Sequence, residues 1–305
     1  MHGFEHFVEK TFHAAGVPIH LRVDVGPRGT RPALVLLHGF PQTHVMWRRV
    51  AQQLRQHFFL VIPDLRGYGD SGKPPGDDRH LAYAKRTMAA DMEAVMDALG
   101  IDQCFVCGHD RGGRVAHRWA LDAPQRVRAL CVIDIVPTFD IYAATSFELA
   151  QAYYHWFHLT QPAPLPETMI GGAPLPYLHH KLGGWGSGGM GHVEPEALRE
   201  YERCFQLPGT IHAICEDYRA GASIDLEHDA ASRTQGQKIA CDLLALWGAR
   251  GVIARLFDPM ALWQAQCSGR VEGSAMPAGH FIPEELPEAT AEALHRFFSS
   301  CAVAT

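Results

Sequence analysis

The sequence predicts an α/β protein with a mostly parallel, eight-stranded sheet, helices on both faces and a helical segment inserted over one end. Short apolar runs bounded by glycine and proline alternate with stretches of helical periodicity, as expected for parallel strands that are buried on both faces. This alternation stops between Ile135 and Cys241, where about a hundred residues contain aromatic-rich helical stretches and no convincing buried strand. Because a connection of that length needs structure of its own, we expect a helical cap there.

Each strand is placed by an apolar or alternating run that ends in turn residues. In chain order, the strands are expected at Phe4–Phe12, Ile19–Val25, Ala33–Leu37, Phe58–Ile62, Cys104–Cys107, Arg128–Ile135, Cys241–Trp247 and Arg270–Ser274. Helices are expected at Leu81–Leu99, Phe147–Phe157, Glu196–Phe205, His212–Ala220 and Pro287–Phe298. The predicted core is therefore 1–137 with 238–305, and the predicted cap is 138–237.

The composition and charge of the chain argue against several classes of function. The 305-residue chain is 47% hydrophobic and 20% charged, with a formal net charge of −6, which argues against nucleic-acid or anionic-membrane partners. It shows neither a signal peptide nor the ~20 uncharged residues that a membrane span requires. Eight scattered cysteines suit the reducing cytoplasm, and the Cys104/Cys107 pair is expected to be buried in a strand. The glycine-rich run 183–191 is expected to be a flexible loop, and we expect no cofactor or metal.

The run Val106–Gly113 predicts a nucleophile elbow, in which a strand turns sharply into a helix. Its pentapeptide Gly108-His109-Asp110-Arg111-Gly112 has the spacing of G-x-S-x-G, with aspartate in the place of serine. The glycines are needed because the turn is tight and the helix packs closely behind it. Asp110 is therefore the candidate nucleophile. Ser71 is a rival, but no strand–turn–helix pattern surrounds it.

An aspartate nucleophile changes the reaction that can be expected. A carboxylate with an ordinary pKa near ~3.9 is already ionised at neutral pH and needs no base to activate it. Its attack on an acyl carbon would give an unproductive anhydride, whereas displacement at an sp³ carbon gives an ester that water can hydrolyse. The sequence thus favours halide or epoxide substrates over simple esters.

Ester hydrolysis requires a base and an acid that orients it. His280 follows the last predicted strand and is the candidate base. No acid follows Trp247-Gly248, and Asp242 and Asp258 lie away from the carboxyl end of that strand. Asp134 stands at the carboxyl end of the preceding strand, so we expect it to be the acid partner of the histidine.

Two arginines beside the nucleophile predict an anionic substrate. Arg111 and Arg114 are spaced i, i+3 in the first turn of the elbow helix, where they share one face. Two guanidiniums would bind a carboxylate through charge-assisted hydrogen bonds. The backbone N–H groups of Phe40 and Arg111 are the expected oxyanion donors, since Pro41 has none. A small acid that carries its leaving group on the neighbouring carbon is the predicted substrate.

A halide leaving group needs donors in a dry pocket. His155, Trp156 and Tyr218, in the predicted helical insertion, are the candidates. An aromatic stripe at helical spacing is also typical of core packing, and spacing alone does not bring these three residues together.

Taken together, these motifs resemble the fluoroacetate dehalogenases of the α/β-hydrolase fold. The resemblance covers nearly the whole chain and is carried by His38–Gln42, Pro63–Gly72, Gly108–Arg114, Tyr154–Trp156, Cys215–Gly221 and Gly279–Phe281. The first two motifs are shared with epoxide hydrolases, whereas Asp-Arg-Gly-Gly-Arg with the His-Trp pair is more specific. The run 183–191 looks less like the family.

The resemblance implies hydrolysis of fluoroacetate to glycolate and fluoride through an ester on the nucleophile. It implies Asp110, His280 and Asp134 as catalytic residues, and Arg111 and Arg114 as ligands of the substrate carboxylate. His155, Trp156 and Tyr218 would then bind the halide. A homodimer is also expected on this basis.

Three alternatives remain open at this stage. An epoxide hydrolase would use the same elbow with a tyrosine as acid, but it leaves the two arginines unexplained. A binding or sensor protein on the same fold would have no need of a complete nucleophile, base and acid. A preference for chloroacetate or bromoacetate over fluoroacetate depends on sub-ångström placement of the halide donors, which the sequence does not determine.

Overall fold

The protein, described here by a computed structural model covering residues 3–302, is built on one eight-stranded sheet. The strands are β1 Phe7–Ala14, β2 Val17–Asp24, β3 Ala33–Leu37, β4 Phe59–Pro63, β5 Cys104–His109, β6 Val127–Ile133, β7 Asp242–Gly248 and β8 Val271–Met276. Their order is β1-β2-β4-β3-β5-β6-β7-β8. The first two pairings, β1 with β2 and β2 with β4, are antiparallel and the other five are parallel. The predicted α/β-hydrolase fold class is confirmed.

The parallel strands other than the edge strand β8 are largely buried because helices cover both faces of the sheet. Every residue of β3 and β5 is buried, as their unbroken apolar runs predict. The helices of the two flanks are α1 Arg48–Leu54, α2 Lys85–Ala98, α3 Arg111–Asp122, α12 Val252–Leu256, α13 Pro259–Gln266, α14 Ile282–Glu285 and α15 Pro287–Ala302. The eight cysteines are free, and Cys104 and Cys107 are buried in β5.

The chain between β6 and β7 is helical, as expected from the missing strands. We call residues 138–237 the insertion. Its helices are α4 Thr138–Ala143, α5 Phe147–Ala152, α6 Tyr154–Leu159, α7 Leu165–Gly171, α8 Pro174–Trp185, α9 Pro195–Phe205, α10 Thr210–Gly221 and α11 Ile224–Thr234. In the part of the chain that the structure describes, no helix has both the length and the apolar character needed to cross a bilayer.

Three local predictions were only partly right. The expected helix over Leu81–Leu99 is a short 3₁₀ turn followed by α2, because Ala84 adopts an extended backbone (φ −58°, ψ 143°). The expected helix over Phe147–Phe157 is broken into α5 and α6 at Tyr153 (φ −113°, ψ 39°). The expected loop 183–191 contains the end of α8 and a short strand, Ser187–Met190, outside the main sheet.

Candidate active site

The elbow between β5 and α3 presents Asp110 at the carboxyl edge of the sheet. Asp110 has a positive φ (φ 47°, ψ −116°), which few side chains adopt without strain. A Cβ on Gly108 would lie 2.3 Å from the Gly112 carbonyl oxygen, and one on Gly112 would lie 2.4 Å from that of His38. The glycines therefore let strand, turn and helix approach closely enough to hold the carboxylate in this position.

The two oxygens of Asp110 face different partners. The Phe40 N–H donates to Oδ1 at 2.9 Å, as expected of an oxyanion donor. Oδ2 lies 3.9 Å from His280 Nε2. Burial would raise the pKa of Asp110, but the positive charges of His280, Arg111 and Arg114 outweigh it and lower the pKa. The carboxylate is thus ionised with one free oxygen, as an attacking group requires.

His280 is oriented by Asp134. Its Nδ1 donates to Asp134 Oδ2 at 2.6 Å, and the Gly248 N–H donates to Oδ1 at 2.9 Å. Burial lowers the pKa of His280, but the hydrogen bond and the charge of Asp134 raise it above its ordinary value. The rival acids have other partners: Asp242 pairs with Arg270, and Asp258 caps the helix that begins at Pro259.

Two contacts that the sequence did not reveal hold the His280 backbone. The His280 N–H donates to the Trp185 carbonyl at 2.9 Å. His109 Nε2 lies 2.8 Å from the His280 carbonyl, and burial lowers the pKa of His109 to about 3. A neutral His109 can therefore donate Nε2–H to that carbonyl. His109 adjoins the nucleophile in the chain, which could have identified it, whereas no local signal marked Trp185.

Arg114 is buried and has no carboxylate partner among the described residues. Its Nη1 donates to Thr138 Oγ1 at 2.9 Å and, more weakly, to the Val136 carbonyl at 3.3 Å. Its Nε is buried and without a hydrogen-bond partner in the described part of the chain. Burial and the nearby Arg111 charge lower the pKa of Arg114. A buried guanidinium that is not hydrogen-bonded to a carboxylate is electrostatically unfavourable, and a bound anion would compensate its charge.

Arg111 is also buried, but it is not unpaired. Its Nε donates to Asp217 Oδ2 at 2.8 Å, and its Nη2 donates to Oδ1 at 2.9 Å and to the Asp217 carbonyl at 2.6 Å. Asp217 lies in α10 of the insertion, 106 positions along the chain. Sequence reasoning missed this partner because no periodicity connects residues so far apart.

The three predicted halide residues meet the two arginines. The Arg111 guanidinium lies 4.3 Å from the centre of the Tyr218 ring, and that of Arg114 lies 4.9 Å from the Trp156 ring. The His155 ring is 5.5 Å from that of Tyr218. All three aromatic residues are buried, and His155 Nδ1 has no partner among the described residues. The insertion thus brings together side chains that sequence spacing left apart.

Comparison with known proteins places this fold and geometry in a family. The family model described as "alpha/beta hydrolase fold" matches residues 32–287. The chain belongs to the α/β-hydrolase family. It is 40% identical to a fluoroacetate dehalogenase of Burkholderia sp. over 97% of this chain and 95% of that protein. It is 34% identical to a soluble epoxide hydrolase of Corynebacterium sp. over 89% and 91% of the two chains.

A solved structure supports the same assignment. It is a provisionally assigned α/β hydrolase from Nostoc sp. PCC 7120, 48% identical in sequence, with a TM-score of 0.92. The match covers 97% of this chain and 99% of that one. Agreement over nearly the full length of both chains includes the insertion as well as the sheet.

The hydrolase site includes Trp185, which lies in the segment that the sequence assigned to a flexible loop. Its ring lies 4.4 Å from that of His155 and 5.6 Å from that of His280. Lys181, one turn earlier in the helix Pro174–Trp185, is buried with its Nζ 3.7 Å from the centre of the Tyr154 ring. Burial lowers the pKa of Lys181 to about 7. This part of the helix is therefore a wall of the site, because Trp185 packs on His155 and His280.

The remaining polar clusters lie outside this hydrolase site. The Ser71 hydroxyl donates to the Asp64 carbonyl at 2.7 Å and accepts from the His20 N–H at 2.9 Å, so it serves the turn. Among the described residues, two groups have spacing compatible with a metal ion: His20 with His44 and Asp64, and Asp70 with Glu200 and Cys204. Neither group contains the nucleophile or the base.

Proposed function

We propose that this hydrolase is a dehalogenase of small 2-haloacids that converts fluoroacetate and water to glycolate and fluoride. The observation that carries the proposal is an ionised Asp110, with one oxygen on the Phe40 N–H, beside the buried Arg114, which has no acidic partner within residues 3–302. The similarity to a fluoroacetate dehalogenase over nearly the full length of both chains supports it.

In the proposed first step, Asp110 Oδ2 attacks the α-carbon of the haloacid and the carbon–halogen bond breaks. The halide leaves with the bonding electrons, and a glycolyl ester forms on Asp110. Arg111 and Arg114 bind the substrate carboxylate through charge-assisted hydrogen bonds. His155, Trp156 and Tyr218 surround the leaving halide.

In the second step, His280 removes a proton from water, and the resulting hydroxide adds to Asp110 Cγ. The negative charge develops on Oδ1, where Phe40 N–H already donates, with the Arg111 N–H as the second proposed donor. The Cγ–Oδ2 bond then breaks, and glycolate takes the proton from His280. Asp110 keeps the oxygen of water and releases the second proton of that water to solvent, which restores the carboxylate. Asp134 stabilises the imidazolium between the two transfers.

We further propose that the insertion, 138–237, acts as a cap over a core formed by 1–137 and 238–305. The rings of His155 and Tyr218 pack at 5.9 and 5.5 Å from that of Phe40, on the oxyanion loop, and support this role. A homodimer and a cytoplasmic location stay predictions.

An epoxide hydrolase is the second candidate, because several relatives are named epoxide hydrolases and two buried tyrosines lie near Asp110. The Asp110 charge contributes to raising the pKa values of Tyr153 and Tyr218, after the larger effect of burial. A neutral tyrosine could protonate an opened epoxide. That reaction offers no anion to Arg114, which is why we place it second.

The decisive assay measures fluoride release from fluoroacetate, halide release from chloroacetate and bromoacetate, and diol formation from an epoxide. We expect halide release and no diol. Diol formation without halide release would establish the epoxide reading, and halide release confined to chloroacetate and bromoacetate would narrow the substrate class. Release of neither halide nor diol would contradict both functions.

The covalent step has its own test. In the His280→Asn variant we expect the first step to proceed and the second to stop, so a carboxymethyl ester accumulates on Asp110. Mass spectrometry of the peptide containing Asp110 measures it, with His280→Asn/Asp110→Asn as the matched control that cannot form the ester. An unmodified peptide after one equivalent of halide has been released would refute the mechanism.

A further inference from the structure

Asp217 of the insertion is the meeting point of three groups from the core. Besides its bonds to Arg111, it contacts Lys85 Nζ through Oδ1 and accepts the Tyr68 hydroxyl on Oδ2 at 2.7 Å. Asp217, Lys85, Tyr68 and Arg111 are each at most 3% exposed. The carboxylate is therefore shared, away from solvent, between the arginine proposed to bind substrate and a lysine that lies behind it.

Lys85 is held in place by a second carboxylate of the insertion. It is the first residue of α2, and its N–H donates to Asp225 Oδ1 at 2.8 Å. Its Nζ lies 3.3 Å from Asp225 Oδ2. The lysine is thus fixed at both ends, so its charge has a defined position relative to Asp217.

The charges of this buried cluster cancel only when Lys85 is counted. Lys85, Arg111 and Arg114 contribute three positive charges, and Asp217, Asp225 and the neighbouring Asp110 contribute three negative ones, which leaves zero. Without Lys85 the sum would be −1, and the charge of Asp217 would act on Arg111 without compensation. Because buried charges interact strongly, a difference of one charge changes how well a carboxylate binds beside them.

Asp217 occupies only one side of the Arg111 guanidinium. Asp217 engages the Nε and Nη2 edge of the guanidinium, so the Nη1 edge points away from that carboxylate. Asp217 thus fixes the guanidinium by its Nε and Nη2 atoms, and the Nη1 edge is left to bind an anion. A fixed guanidinium loses less side-chain entropy when it binds an anion than a free one does.

We propose that Lys85 is a positioning residue for the substrate carboxylate: by compensating Asp217 it leaves the positive charge of Arg111 and Arg114 available to bind a haloacid. This inference rests on the proposed dehalogenase function. Lys85 acts through Asp217 and Arg111 and takes no part in the bond-breaking steps.

The test compares variants that remove the charge of Lys85, keep it, or remove it together with the charge of Asp217. We expect Lys85→Met to raise KM for chloroacetate and fluoroacetate about ten-fold, equivalent to ~1.4 kcal/mol, with kcat little changed. Lys85→Arg keeps the charge and should restore KM. The double variant Lys85→Met/Asp217→Asn removes one charge of each sign, returns the cluster to the wild-type net charge and should also lower KM toward the wild-type value.

Lys73→Met is the matched control. Lys73 is partly buried and donates to the Gly69 and Ser71 carbonyls at 2.8 and 2.9 Å, away from the arginines. We expect its loss to affect the unfolding temperature rather than KM for the haloacids.

The outcomes separate the inference from the function on which it rests. If the wild type releases no halide, the proposed function fails. If the wild type is active and Lys85→Met leaves KM unchanged, or lowers only kcat, Lys85 does not position the substrate. If Lys85→Met does not fold, the double variant alone decides: wild-type KM supports the charge balance, and a raised KM overturns it.

Discussion

At the scale of single residues, the chemistry of this site depends on how burial and neighbouring charges shift the pKa values of Asp110 and His280. Burial disfavours the charged form of both Asp110 and His280, yet the surrounding charges reverse both effects. Asp110 remains a carboxylate because cations lie beside it, and His280 holds a proton more tightly because Asp134 accepts its Nδ1–H. A strong nucleophile and a base with a raised pKa can therefore coexist 3.9 Å apart.

The raised pKa of His280 has a consequence for the pH profile. Water activation requires neutral His280, so kcat should increase as pH rises through a pKa above the ordinary ~6.5. Asp134→Asn removes the charge that raises this pKa, so the rising limb should move to lower pH, and kcat should fall by two or more orders of magnitude, about the effect known for such acids. Halide release measured from pH 5 to 10 tests the shift. If the rising part of the pH profile is at the same pH in Asp134→Asn as in the wild type, Asp134 does not set the pKa of His280.

At the scale of elements, the nucleophile depends on the contact between β5 and α3. The carbonyl of Gly112 lies where a side chain on Gly108 would begin, and both belong to backbone that cannot rotate away. The helix can therefore start immediately after Asp110 and place Arg111 and Arg114 beside it. The sharp turn and the position of Arg111 and Arg114 therefore both follow from the close contact between Gly108 and Gly112.

We expect Gly108→Ala to destabilise the protein by about 3 kcal/mol, because the new Cβ would overlap the Gly112 carbonyl. Urea unfolding measures the change. The matched control is Gly184→Ala: Gly184 is helical and exposed, and a Cβ there meets nothing within 4 Å. That substitution should be neutral or stabilise the helix by up to ~1 kcal/mol. Equal losses in both variants would contradict the packing argument.

At the scale of the whole molecule, buried carboxylates join the insertion to the core. Asp217 makes one such contact, and Glu284 makes another. Glu284 in the core accepts the Tyr201 hydroxyl from α9 of the insertion at 2.9 Å and the Gln42 side-chain amide at 2.6 Å. Burial raises the pKa of Glu284 to about 7 despite these bonds.

This carboxyl should make stability depend on pH. Its pKa is 4.5 in the unfolded reference and about 7 when folded, so the folded protein binds the proton more tightly between these values. The free energy of unfolding should therefore fall as pH rises from 4.5 to 7, by up to ~3 kcal/mol at 1.36 kcal/mol per unit. Glu284→Gln should flatten this dependence in urea unfolding at several pH values. An unchanged slope would show that Glu284 does not titrate in this range.

Much of the fold could be predicted because strands carry local signals. All eight sheet strands lie close to their expected positions, since apolar runs bounded by glycine and proline mark them directly. Helices in the insertion were harder: Phe147–Phe157 has helical periodicity throughout, yet Tyr153 breaks it. Tyr153 packs on Trp185, 32 positions along the chain, with ring centres 6.1 Å apart, and this tertiary contact competes with the local helical preference.

The sequence by itself predicted Asp110 as the nucleophile, its elbow and the positions of Asp134 and His280 at strand ends, because these features belong to short contiguous patterns. Only the tertiary structure decided the charge balance around Arg111, since Lys85, Asp217 and Asp225 come from three separate helices. It also decided that Trp185 packs on His155 and His280. The physical reason is that a buried ion pair or ring contact leaves no periodic trace when its members are distant in the chain.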